Sequence, residues 1–306
     1  LCALEDLSRM APRPFPGTSV YPVLVALQAT AAETVAARHV GTLDALQHAP
    51  VHHVDPAAYS RFTESPWFVP FETWPTLSRL LDLPRLASIA TVRSTCSFHR
   101  KGLRETYVVP ERPDGPAYPY IGGPSYTRTS EVGPWTLSWA GWWIRADAEA
   151  LREAGNPLPS FDEVFLRPKL VIRQHARRVE AWVDTDGRYV TKDVYPVAWP
   201  ADDVDLNVLA AILCSTVFTA LYNTVYQGIV VGGETYHYLP AFLRQIPVPA
   251  REALAGLAPL ASRGGEAWLE IDRAVARAYG VSEDERSRLV QTHLARVGAA
   301  IPLQSG

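Results

Sequence analysis

Arg167-Pro168-Lys169-Leu170-Val171-Ile172-Arg173-Gln174-His175, followed by Arg177-Arg178 and Glu180-Ala181-Trp182-Val183-Asp184, is the stretch on which the fold turns. It continues through Thr185-Asp186-Gly187 into Arg188-Tyr189-Val190 and ends near Tyr195-Pro196-Val197. Two β-prone runs flank the Asp-Gly pair, a pair that readily adopts the positive φ of a tight hairpin turn, so the spacing predicts a β-hairpin there. The hairpin is basic, with seven Lys or Arg against four Asp or Glu over residues 166–200. A solvated strand pair in an ordinary sheet accounts for the same residues without any function.

Pro168-Lys169, two apolar residues, one more and then Arg173, together with Ala181, Asp184, Gly187 and Tyr189 at the turn, form a pattern. It resembles the target-recognition domain of adenine-specific DNA methyltransferases, the type found in Taq-like enzymes, type IIG restriction–modification proteins and phage-defence methyltransferases. Other segments follow in the order of that family. Leu86 to Val92 corresponds to the opening strand, and Tyr118 to Tyr126, through Gly122-Gly123, to a following turn. Leu243-Arg244-Gln245-Ile246-Pro247-Val248-Pro249 corresponds to the closing segment, and Ile271-Asp272 with Val275 and Tyr279-Gly280 to a motif in the tail. The family's early loop glycine is replaced here by Ser94 or Thr95, and its Asn-Ser pair by Cys214-Ser215.

Resemblance and pattern together imply a mixed α/β (α+β) chain. Residues 1–65 are expected to be a remnant edge of a methyltransferase sheet plus a linker, residues 66–250 a strand-rich target-recognition domain, and residues 251–306 a helical tail. Within this frame Ser19 to Ala29 reads as a buried strand and Val35 to Val40 as a strand able to pair with it. Thr76 to Leu83 reads as a helix stopped by Pro84. Leu86 to Arg93, Tyr107 to Pro110 and Trp135 to Ile144 read as strands. Ala148 to Ala154 is a helix closed by Gly155. Asp205 to Gln227 is one long helix capped by Asp205. Glu266 to Tyr279 is a helix ending at Gly280, and Ser282 with Glu285 makes a capping box for a last helix to about Val297.

The chain has 306 residues, 47% hydrophobic and 20% charged, which describes a folded globular chain with room for two domains. No apolar run reaches the roughly 18 residues of a membrane span, so no membrane partner is expected. Cys2, Cys96 and Cys214 are odd in number and widely spaced, which points to reduced thiols and a cytoplasmic setting. The chain opens on Leu1 with no basic-then-apolar leader, and an opening Leu suggests a piece of something longer.

The net charge of −3 is unlike that of a generally basic nucleic-acid binder. Its distribution is uneven. Residues 92–104 and 166–200 together hold eleven basic and four acidic residues, leaving eighteen basic and twenty-eight acidic elsewhere. A local basic face is what duplex binding needs. Readers of sequence set Arg or Lys against guanine and Asn or Gln against adenine, while other basic groups hold phosphates. The candidates for duplex DNA contact are therefore Arg93, Arg100 and Lys101 in the first loop, Tyr126 and Arg128 after the Gly-Gly turn, and Lys169, Arg173, Gln174, Arg177 and Arg178 on the basic stretch. A two-residue period puts Lys169 and Arg173 on one strand face and Gln174 on the other.

Catalytic motifs are missing. A methyltransferase of the resembled class needs a Gly-rich loop for S-adenosylmethionine and an Asn/Asp-Pro-Pro-aromatic string for the target amine, and neither occurs. Asn156-Pro157-Leu158-Pro159 lacks the aromatic and reads as a turn. The resemblance thus implies no cofactor in this chain, with S-adenosylmethionine held by a catalytic methyltransferase domain or subunit as partner. Neighbouring His52 and His53 point to opposite faces of a strand, and Cys96 with His99 lacks a second pair at zinc spacing, so no metal site is expected. Cys214 reads as a buried small apolar residue. Two other readings stay open: a protein-interaction module that docks on a methyltransferase or defence effector without touching DNA, and an enzyme in its own right built around His52, His53 or Cys96.

Overall fold

The computed structural model describes residues 3–6, 23–26, 33–40, 48–62, 68–95, 97–98, 102–123, 129–156, 161–201, 203–227, 230–231 and 235–294. At its centre is an antiparallel sheet of four strands in the order Ala181–Asp184, Lys169–Ile172, Val197–Pro200, Ala90–Arg93. Every residue of Lys169–Ile172 is buried, because both faces of this strand are covered. Leu170, Ile172, Ala181 and Ala198 face the main core with the helices Leu206–Cys214 and Thr216–Val225. The alternate residues Val171 and Val197 face a second core with Tyr120, Ile121, Ile144 and Phe165. A central strand buried on both sides must read as a continuous apolar run, and Leu170-Val171-Ile172 does.

The second core belongs to another sheet, ordered Val190–Thr191, Ala117–Ile121, Trp143–Arg145, Val108–Val109. The predicted hairpin about Asp186-Gly187 therefore does not form. Ala181–Asp184 pairs with Lys169–Ile172, whereas Val190–Thr191 crosses to pair in parallel with Tyr120 and Ile121. Two local causes make the Asp-Gly pair a corner instead. The Asp184 carboxylate accepts the N–H groups of Arg188 (3.3 Å) and Tyr189 (3.0 Å), turning the chain about its own side chain. Gly187 sits at φ +62°, and a Cβ there would lie 2.4 Å from the Arg167 carbonyl carbon.

Other boundaries move for similar reasons. Only Ala90–Arg93 of the opening segment is a strand, since the N–H groups of Leu86 and Ala87 bond instead to Ile246 O (2.9 Å) and Arg244 O (3.1 Å). The opening and closing segments of the domain are thereby clasped together, with Val248 N–H donating to Pro84 O at 2.8 Å. Thr76 to Leu83 is a helix Trp74–Ser78 running into a tighter turn Arg79–Asp82. Leu103–Tyr107 is helical and only Val108–Val109 is strand. The aromatic run splits into Thr136–Ser138 and Trp143–Arg145. The former makes a hairpin with Glu131–Gly133 through the two-residue turn Pro134-Trp135.

The long helix has its cap, Asp205 accepting from Asn207 N–H (2.8 Å) and Val208 N–H (3.1 Å). It breaks at Ser215, which is extended at ψ 153° and whose hydroxyl oxygen accepts from Phe218 N–H to start the second half, bent by 54° from the first. Among the described residues no single helix is long and apolar enough to cross a membrane. Asp272, on the tail helix Trp268–Ala278, accepts from Thr216 N–H (2.7 Å) and Thr216 Oγ1–H (2.9 Å) at this break, and pairs with Arg286 at 2.9 Å. The tail motif is thus a buried clasp on the core helix. Gly155 and Gly280 close their helices at φ +72°, and the Ser282–Glu285 capping box is formed at the start of Glu283–Leu289. Residues beyond 294, with the expected end at Val297, lie outside the described residues.

Residues at the N-terminus form a separate four-stranded sheet in the order Val23–Ala26, Ala3–Asp6, Val35–His39, His52–Val54. Val35–His39 does not pair with Val23–Ala26, because Ala3–Asp6 lies between them, antiparallel to one and parallel to the other. Val25 is 39% exposed, so Val23–Ala26 is an edge strand and not the buried one its composition predicts.

Candidate nucleic-acid interface

The chain leaves the central sheet at Arg173, whose N–H still bonds to Glu180 O at 2.9 Å, and loops back through residues 174–179. Ala176 and Val179 anchor this loop in the main core. Thr219 Oγ1 accepts from Val179 N–H at 3.3 Å, and Asn223 Nδ2 donates to Arg177 O at 3.5 Å. Gln174 N–H donates to Val194 O (3.1 Å), while its carbonyl accepts from Tyr238 N–H (2.7 Å). His175 pairs with His237 across His175–Ala176 and Thr235–His237. On the other side the first loop is tied in: Arg93 lies opposite Val197, Thr95 Oγ1–H donates to Lys192 O (2.7 Å), and Ser97 Oγ–H to Asp193 Oδ2 (3.2 Å).

These bonds make one continuous edge out of four segments far apart in sequence: residues 93–95 with Ser97, 192–195, 173–178 and 235–237. Arg93 and Arg173 are exposed on it, and Gln174, His175 and His237 are half-buried. Arg173 bonds to the Glu180 carboxylate at 3.2 Å, with 44% of its side chain still exposed. A pair this open holds the guanidinium weakly, so another anion can displace it. Burial raises the Glu180 carboxyl above its ordinary range, opposed by Arg173 and Arg178.

Lys169 does not belong to this surface. It is fully buried, its ammonium donating to Phe165 O and to the Asp184 carboxylate. It shares a face with Arg173, as the two-residue period requires, but the second core covers its end of the strand and not the other. Arg178 lays its guanidinium over the Trp268 ring, 5.1 Å from the centroid, and turns toward the tail. Arg177 is half-buried. Arg100, Lys101, Tyr126 and Arg128 lie outside the described residues. Reading the sequence missed His175 and His237, whose rings stack at 4.4 Å and 21°. The two are 62 positions apart, and only strand pairing joins them.

Both imidazoles are held below the ordinary histidine value, by burial first, then by Arg173 beside His175 and by His175 beside His237. A lowered value means the unfolded chain takes up protons more readily, so stability is fully present above the unfolded value near 6.5 and is lost as pH falls below it. The urea midpoint is therefore expected to drop between pH 7.5 and 5.5, and His237→Phe, which keeps a stacked ring, is expected to flatten that drop. A pH profile unchanged by His237→Phe would mean the pair titrates normally.

His52 and His53 face opposite ways from the edge strand His52–Val54, and among the described residues no three His, Cys, Asp or Glu side chains cluster to hold a metal. The Cys214 thiol is pushed up to about 12 by complete burial, which removes any nucleophilic use at neutral pH.

Residues 125–248 match the family model of the TaqI-like C-terminal specificity domain. Among solved structures 28 chains match. One is described as the type IIL restriction–modification enzyme MmeI in complex with DNA, which aligns with a TM-score of 0.51 and 9% identity over 97% of this chain. The present chain spans 46% of that protein's length. At such identity the likeness is one of fold. No curated protein sequence matches.

Proposed function

We propose, since residues 125–248 match the family model of the TaqI-like C-terminal specificity domain, that this chain reads duplex DNA on behalf of an adenine-specific methyltransferase or restriction–modification enzyme. The catalytic part, with its S-adenosylmethionine, would lie in another domain or subunit. The observation that carries this is the edge on which Arg93, Arg173 and Gln174 are drawn together from distant segments. Its roles divide by chemistry. Arg173 and Gln174 emerge where the strand Lys169–Ile172 ends, and suit base edges in the major groove. Arg93, at the flank, suits a phosphate. The N-terminal sheet, with its edge strand Val23–Ala26, would adjoin the catalytic domain.

Fluorescence anisotropy with mixed-sequence and selected duplexes from 50 to 300 mM salt tests this. Binding should weaken steeply as salt rises, and Arg93→Gln should lower the log–log salt slope by about 1. Gln174→Ala should relax preference at one base pair by about 1–3 kcal/mol while leaving binding to other sequences unchanged. Salt-insensitive or negligible binding, with and without a catalytic partner, overturns the proposal. If the partner is still captured in that case, the protein-interaction reading replaces it.

A further inference from the structure

A cleft of about 540 Å³ opens beside the tail, lined by Trp135, Thr136, Arg178, Gly265, Glu266 and Trp268. Three segments build it: the Pro134-Trp135 hairpin tip, the loop after Lys169–Ile172, and the turn Gly264–Ala267 that leads into Trp268–Ala278. Its volume falls within the range of small-ligand sites.

One feature of the cleft is costly for a purely structural wall, and a second leaves a cation at its lining. Trp135 sits at φ +55°, the one non-glycine residue at positive φ among the described residues, in a turn position where Gly is the usual occupant. Its N–H is fixed to Ala181 O at 2.9 Å, which holds the indole against Trp268 with centroids 5.6 Å apart. Backbone outliers of this kind concentrate at ligand sites. Arg178, the second feature, stacks on Trp268 and has no bonded carboxylate among the described residues. The neighbouring Glu180 is taken by Arg173. Gly265 has no side chain to close the floor, and a Cβ there would meet nothing nearer than Pro134 O at 3.9 Å.

We infer that this cleft binds a nucleoside monophosphate unit, its base against the indoles, its phosphate on Arg178. Tryptophan faces stack any nucleobase, and a guanidinium is matched to phosphate oxygens. Glu266 supplies the one carboxylate of the lining, and guanine offers it two parallel N–H donors, so guanine is the favoured base. The unit has two sources with this chemistry, a free nucleotide or an unpaired nucleotide in a strand.

Calorimetry on the full chain with deoxyguanosine monophosphate, deoxyguanosine and inorganic phosphate tests the cleft. Anisotropy with a hairpin duplex carrying one bulged guanosine, set against the same duplex unbulged, tests the strand source. The monophosphate should bind one to one, about tenfold tighter than the nucleoside, and Arg178→Gln should remove that advantage. Trp135→Gly, which suits the backbone at φ +55° and so keeps the turn, should lose about tenfold in affinity while the protein melts cooperatively. A bulged duplex that outbinds the plain one identifies a strand as the source, and saturation by free nucleotide with no bulge preference identifies free ligand. If neither form binds, or if both variants bind as the parent does, the inference fails. Because the plain duplex reports on the edge and the mononucleotide on the cleft, either reading can fail while the other stands.

Discussion

Lys169→Met is expected to destabilise the protein by about 3–5 kcal/mol, the usual cost of removing one partner from a buried ion pair. Both partners are enclosed, with side-chain exposures of 0% for Lys169 and 2% for Asp184. Burial pulls the ammonium below the ordinary lysine value and the Asp184 carboxylate opposes that pull. With Met in place the carboxylate keeps only its backbone donors at Arg188 and Tyr189. Those two bonds also shape the corner at Gly187, so the loss should spread to the strand Val190–Thr191. Guanidinium denaturation gives the measurement. Lys169→Met/Asp184→Asn should recover part of the loss, because Asn is neutral and its one carbonyl oxygen still accepts from one of the two N–H groups that Asp184 serves with separate oxygens. The outcome also separates two roles for one residue. A surface lysine on phosphate would lower DNA affinity and leave the melting midpoint within about 0.5 kcal/mol of the parent, and that result would sink the structural role.

Asp272→Ala should cost a similar 3–5 kcal/mol, by a different route. Asp272 is 2% exposed and serves three donors at once: the Thr216 N–H, the Thr216 hydroxyl and Arg286. Its removal leaves the first N–H of Thr216–Val225 without an acceptor inside the core. It also leaves the Arg286 guanidinium, 8% exposed, balanced only by Glu283, whose own side chain is 51% exposed. Asp272→Asn keeps one oxygen to accept from Thr216 N–H but puts an NH2 group where the other oxygen serves the Thr216 hydroxyl and Arg286, so about 1.5–3 kcal/mol is expected. Hydrogen exchange should locate the damage: amides of residues 217–221 should lose protection in Asp272→Ala more than those of the central sheet. Uniform loss across the molecule would mean the clasp is not local to the bent helix, and no loss would refute it.

Features whose cause lies within one turn of chain were legible in the sequence. Asp205, Gly155, Gly280 and the Ser282–Glu285 box all act on N–H or C=O groups a few residues away, and each stands where its pattern put it. Even the break at Ser215 had such a signal, a serine three residues ahead of the Phe218 N–H it accepts from, overlooked inside an apolar run. Strand partners were not legible, because pairing is decided by which surfaces meet and not by the turn alone. Asp186-Gly187 favours a hairpin locally, yet Lys169 draws Asp184 inward and the Arg167 backbone fills the space beside Gly187. The candidate interface divides in the same way. Basic residues clustered in sequence were visible, but the difference between Lys169 and Arg173, four positions apart on one face, depends on how far the second core extends over the sheet. The His175–His237 stack depends on a strand 62 residues away.

The loop from Arg173 to Glu180 hangs from a strand pair at both ends, and the side chains it sends into the main core are Ala176 and Val179. Its other six positions carry no core volume. Substitutions at Arg173, Gln174 and Arg177, whose side chains enter neither core, are expected to leave the scaffold's melting behaviour almost untouched, so this octapeptide can vary at those positions while its two pegs stay small or β-branched. Grafting the octapeptide from one such protein into another, pegs retained, changes what the edge presents without asking the recipient to refold around it.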